Sequence, residues 1–243
     1  MIEVKNISKT FKDKKVLKNI SFNIPDGSTF TIIGGSGQGK SVIIKHLFGY
    51  LMPDTGKVLV DGIDLSKLSK NELFEIQKNF GIVFQGAALF DSLTVEENVG
   101  FGLKWIKNMD EVSIKKIVKE TLEKVNLSDN ILKQKPSELS GGMKKRVAVA
   151  RAICYNPKYI LYDEPTTGLD PLNSDVINNL ILHLQKTINI TSIVVTHDMK
   201  TASKVSNNIV MLNNGEIIER GSPENFMKTD NEIVKRFIRG EAD

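Results

Sequence analysis

The chain has 243 residues, 40% hydrophobic and 26% charged, a balance that excludes a disordered, collagen-like or disulfide-stapled protein. A net charge of +4 is too mild for a nucleic-acid binder, and its densest cluster, Lys12, Lys14, Lys15 and Lys18, is broken by Asp13 and reads as a solvated turn. One cysteine (Cys154, expected in the core), no apolar run near the roughly 20 residues of a membrane span and no export signal lead us to expect a soluble chain of a reducing compartment.

Residues 4–7 and 20–24 alternate apolar and polar side chains and predict short strands, followed by a turn at Asp26-Gly27. Residues 29–33, Thr-Phe-Thr-Ile-Ile, have the composition of a buried strand, and a Gly-rich turn follows. Ile43, Ile44, Leu47 and Leu51 recur at helical spacing, predicting a helix over 41–51 closed by Pro53. Strands are expected at 57–60 and 81–84, with a helix at 69–77 capped by Ser69. From 93 to 155 the pattern is helical. Ile114, Ile117, Val118, Leu122 and Val125 form one stripe, and Phe101 and Trp105 are expected to pack inside. Strands at 159–162 and 193–196 flank a helix at 172–186. Asn213-Asn214-Gly215 predicts a hairpin, and a basic helix follows at 231–239. The order describes an α/β sheet carrying a helical subdomain.

Gly34-Gly35-Ser36-Gly37-Gln38-Gly39-Lys40-Ser41 fits G-x-x-x-x-G-K-[ST] between a strand and a helix. Backbone N–H groups and a helix N-terminus there suit phosphate, with Lys40 reaching the β- and γ-phosphates and Ser41 ligating Mg²⁺. Asp163 and Glu164 end the buried strand at 159–162, where one acid can hold Mg²⁺ through water and the next can deprotonate an attacking water. These residues describe a nucleotide hydrolase core.

Leu139-Ser140-Gly141-Gly142-Met143 decides the family: it resembles the LSGGQ signature of ATP-binding cassette (ABC) proteins, with Met143 for Gln, and its Ser140 lies 23 residues before Asp163. Gln85 after a strand, Gly168-Leu169-Asp170, His197 after a strand, and Phe11, 29 residues before Lys40, also fall in the family's order. The resemblance implies a P-loop NTPase ABC ATPase core with an antiparallel β subdomain and an inserted α-helical subdomain. The chain is then one domain, with residues 1–90 and 156–243 as core and 91–155 as the helical subdomain. It implies two copies closing head to tail on ATP·Mg²⁺. The P-loop residues and Asp163 of one chain would then face Ser140, Gly141 and Gly142 of the other. Phe11 would stack on adenine, Glu164 would be the base, His197 would contact the γ-phosphate, and Gln85 would sense Mg²⁺ and nucleotide. The stretch 84–95, Phe-Gln-Gly-Ala-Ala-Leu-Phe-Asp-Ser-Leu-Thr-Val, is similar to the Mla/Mkl-type ATPases that serve MCE proteins in phospholipid trafficking. That group implies an integral membrane permease, an MCE-type lipid-binding protein and a small accessory subunit. The ATPase would be peripheral on the inner face of the membrane. Ala87, Ala88, Leu89, Phe90 and Leu93 are the expected permease contact. The alternatives are the ATPase of an importer for a polar small solute and a soluble cassette ATPase.

Overall fold

Thr29–Ile33 (β3), Tyr159–Asp163 (β7) and Thr191–Thr196 (β8) bury nearly every side chain, as strands sheathed on both faces must. The computed structural model describes residues 1–241. With Phe80–Val83 (β6), Asn208–Asn213 (β9) and Glu216–Gly221 (β10), these strands form a six-stranded sheet ordered β10-β9-β3-β8-β7-β6. All pairs are parallel except β10 on β9, the expected hairpin.

A second sheet, wholly antiparallel, contains Ile2–Phe11 (β1), Lys14–Ile24 (β2), Thr55–Val60 (β4) and Ile63–Asp64 (β5) in the order β2-β1-β4-β5. β1 and β2 run longer than alternation predicts. Bulges near Asn6 and Asn19, both at positive φ, break the period-two pattern without ending the pairing. Lys14, Lys15 and Lys18 therefore lie on a strand, and only Lys12 and Asp13 of the basic cluster turn the chain.

Lys40–Leu47 (α1) stops earlier than expected: the left-handed Gly49, not Pro53, ends it. Lys70–Gln77 (α2) starts at Ser69, whose capping box with Glu72 contributes about 1 kcal/mol. Between β6 and β7 lie Val95–Trp105 (α3), Glu111–Lys124 (α4) and Gly141–Ile153 (α5). They share one core through Val95, Val99, Leu103, Ile114, Val118, Leu122 and Val147, with Cys154 buried beside it. Phe101 and Trp105 do not join that core. Val95, Val99 and Leu103 take the inward face of α3, which turns Phe101 and Trp105 outward, 37% and 69% exposed.

Pro171–Ile188 (α6), Met199–Val205 (α7), Pro223–Met227 (α8) and Glu232–Arg239 (α9) follow; α7 and α8 were not foreseen from the sequence. Among the described residues no helix is long and apolar enough to cross a membrane.

Candidate functional site

β3 delivers the loop 34–39 to the N-terminus of α1. Gly39, at φ 98, is the N-cap, and a Cβ there would come within 2.9 Å of Leu17 Cδ2. With no capping side chain, the first N–H groups of α1 stay open to an anion. Lys40 is buried and its Nζ donates to Gly34 O (2.8 Å) and Gly35 O (2.9 Å). Burial pushes its pKa down, while the nearby Glu164 and Asp163 carboxylates act the other way. Ser36, Gly37 and Gln38 line a cavity of about 460 Å³ together with Lys14, Lys15 and Lys18, so the basic cluster faces the phosphate loop. Gln38 Oε1 accepts from Asn214 N, fastening the loop to the β9–β10 turn. Phe11 is exposed at the end of β1, paired with Lys14 of that cavity wall.

β7 and β8 are neighbours, so their ends bring Asp163, Glu164 and His197 together. Glu164 is held at φ 50, and its N–H donates to Val195 O (2.8 Å). Its Oε2 accepts from His197 Nδ1 (2.9 Å), His197 N (3.3 Å) and Thr167 Oγ1 (3.2 Å). A carboxylate only accepts, so Nδ1 carries the hydrogen and Nε2 is turned elsewhere. Glu164 Oε1 lies 3.7 Å from Lys40 Nζ, and both side chains are nearly buried. Burial raises the Asp163 pKa, and the Glu164 charge adds to it. Lys40 and a hydrogen bond from Ser41 counter the rise. A hydroxyl beside two mutually repelling carboxylates is an all-oxygen donor set, and it fits a hard divalent cation such as Mg²⁺.

Gln85 follows β6 and is exposed; its carbonyl accepts from Lys145 Nζ, which also donates to Glu164 O (3.3 Å). Ser140 is the N-cap of α5, its Oγ accepting from Met143 N (3.3 Å), and it is exposed with Gly141. Gly142 packs so closely on α6 that a Cβ would lie 2.5 Å from Asn173 Oδ1. The structure thus gathers Lys40, Ser41, Asp163, Glu164 and His197 in one place. Ser140, Gly141 and Gly142 stand at the start of α5, with Gly142 packed on α6 and Ser140 and Gly141 exposed.

Sequence reasoning missed two buried polar residues. Lys145 shares a buried helical stripe with Gly142, Val149 and Ala152, a spacing that could have exposed it. Asn98 accepts from Phe90 N (2.8 Å) and donates to Phe90 O, Leu93 O and Thr94 O, so it holds the loop after Gln85. Arg151 donates to Ala87 O and Ala88 O of the same loop. Ala87 is buried and Leu89 packs on the core, whereas Phe90 is 44% exposed and its ring lies 4.9 Å from that of Phe101. Trp105 continues the row, with its ring 6.2 Å from that of Phe101, beside a groove of about 450 Å³. His46 is buried with Nδ1 on Val42 O, and His183 is exposed; neither joins the site.

The ABC transporter family profile matches residues 17–167. Over 243 residues the chain is 37% identical to the intermembrane phospholipid transport system ATP-binding protein MlaF of Haemophilus influenzae, covering 100% of this chain and 92% of that one. Over 239 residues it is 38% identical to the probable ribonucleotide transport ATP-binding protein mkl of Mycobacterium leprae, covering 98% of this chain and 69% of that one. A solved ATP-binding cassette, dimeric in a post-hydrolysis state with ADP and Pi bound, is similar at a TM-score of 0.84 and 35% identity. That match covers 92% of this chain and 99% of that one.

Proposed function

The chain belongs to the ABC transporter family and is an ATPase, and from that premise we propose that it is the motor subunit of a transporter that moves phospholipid. What carries this reading is the convergence of Lys40, Asp163, Glu164 and His197, in a chain alike over its whole length to a phospholipid-system ATPase. The polar alternative has its own support in the mycobacterial relative, whose name gives ribonucleotide as cargo.

In this proposal the triphosphate of ATP lies along residues 34–41, with Lys40 at the β- and γ-phosphates and Phe11 against adenine. Lys14, Lys15 and Lys18 add positive potential at the cavity mouth. Ser41 and Gln85 would hold Mg²⁺, with Asp163 holding it through water, and the ion would supply charge neutralisation for the triphosphate. Glu164 takes a proton from the attacking water as its oxygen bonds the γ-phosphorus and the bridging bond to ADP breaks. For that the carboxylate must leave some of the donors now on Oε2, and His197 is then free to turn to the γ-phosphate. A second copy presents Ser140, Gly141 and Gly142, adding another helix N-terminus to the developing charge.

We assign residues 1–90 and 156–243 to the core and 91–155 to the helical subdomain; α3, α4 and α5 pack on one another, and their apolar core continues into the sheet through Val83, Ile160 and Tyr162. The permease contact falls on Phe90, Phe101 and Trp105, whose exposed rings make an apolar row next to the Gln85 loop. Through it the ATPase sits on the inner face of the membrane, with an MCE-type protein and a small accessory subunit in the assembly. The test is purification of the intact assembly, followed by extraction of bound lipid and transfer assays with phospholipid vesicles. Co-purifying phospholipid and ATP-dependent transfer are expected. A lipid-free assembly whose ATPase responds to a polar solute would move the cargo to the alternative.

A further inference from the structure

Lys145 is 5% exposed, and its ammonium is spent on two backbone carbonyls, those of Gln85 and Glu164. Neither acceptor belongs to its own helix. Burying a lysine costs several kcal/mol unless its charge is compensated, so an ammonium kept for this purpose calls for a reason beyond packing. The Asp163 and Glu164 charges favour the ammonium against its burial.

The position of the helix supplies the reason. α5 is capped by Ser140, five residues before Lys145, and an α-helix transmits displacement as a rigid rod over that distance. In a two-chain sandwich, Gln85 and Glu164 serve the ATP held by their own P-loop, while Ser140 serves the ATP held by the other chain. We propose that Lys145 is a positioning residue that couples the two ATP sites, tying the signature end of α5 to the Gln85 and Glu164 backbones. A shift of either carbonyl on nucleotide binding moves the ammonium, and with it the N-terminus offered to the opposite site. Glu164, at φ 50, is a suitable point of attachment, since small changes there re-aim its carboxylate. The proposal rests on the sandwich put forward above.

The test compares Lys145→Met, which keeps the aliphatic length, with Lys145→Arg, which keeps donors for both carbonyls, in the full chain. Rates are measured against ATP concentration, and nucleotide affinity of the monomer is measured with a fluorescent ATP analogue. Wild type is expected to show a Hill coefficient above 1, with two sites setting the upper limit. Lys145→Met should bring it to about 1 and lower turnover about tenfold, a loss typical of coupling energies, with monomer affinity unchanged. Lys145→Arg should recover most of both. Wild-type cooperativity in Lys145→Met would overturn the coupling, and so would a wild-type Hill coefficient of 1. If Lys145→Met fails to fold, Lys145→Gln takes its place with one donor retained, and failure of both to fold would make Lys145 purely structural. A wild type that hydrolyses ATP but never dimerises with it, even as Glu164→Gln, would instead refute the sandwich.

Discussion

Glu164 occupies a left-handed conformation that costs a non-glycine residue about 1–2 kcal/mol, offset in part by the bond from its N–H to Val195 O. The carboxylate is thereby aimed between Lys40 and His197 rather than along β7. Replacing it by glutamine keeps the reach and removes proton acceptance. Glu164→Gln should bind ATP with near-normal affinity, hydrolyse it at least about a hundredfold more slowly, and accumulate as an ATP-bound dimer. Sizing chromatography with and without ATP, beside a phosphate-release assay, reads both effects; near-normal hydrolysis would remove Glu164 from the role. Lys40 illustrates a different constraint. Its hydrogen bonds to Gly34 O and Gly35 O curl the loop around its own lysine, so the ammonium is in position before a phosphate arrives.

At the scale of elements, the loop after β6 has no regular structure of its own and depends on Asn98 and Arg151 for its shape. Asn98→Ala would strand the N–H and carbonyl of Phe90, a loss of about 2–4 kcal/mol for a fully buried amide making several hydrogen bonds. The variant should melt earlier and assemble poorly with the membrane subunit, although Asn98 itself reaches no surface; an unchanged melting temperature would refute the clamp. Neither residue was legible in the sequence, and the reason is physical: both bind backbone carbonyls, which every residue has, so no partner side chain marks the contact. The P-loop, the Asp163-Glu164 pair and the N-cap at Ser69 were legible because their chemistry is local and needs particular side chains at fixed spacing. The length of β1 and β2 was not, since two asparagine bulges shift the alternation that reveals a strand. Phe101 and Trp105 were misjudged because hydrophobicity alone cannot tell a core ring from one on the outer face of a helix.

On the scale of the molecule, one chain carries a P-loop with its acids on the sheet and, at the start of α5, an exposed signature at Ser140 and Gly141. Ser140→Arg would remove an N-cap worth about 1 kcal/mol and place a bulky cation where the partner's γ-phosphate belongs. Monomers should still bind ATP, whereas dimer formation and turnover should fail. Mixed with Lys40→Ala chains, the variant should regain at most one working site per dimer, and full activity of Ser140→Arg alone would contradict the sandwich. The sheet order also governs how the protein is made. β3, the strand that feeds the P-loop, is hydrogen-bonded on its two sides only to β8 and β9. At a ribosomal rate of roughly 5–20 residues per second, those strands emerge roughly 10–30 s after the strand they must enclose. Through that interval a segment destined for full burial and a phosphate loop without a scaffold wait in the nascent chain. The sheet around the P-loop is therefore incomplete until β9 has been synthesised, and any translational pause before β9 prolongs the wait.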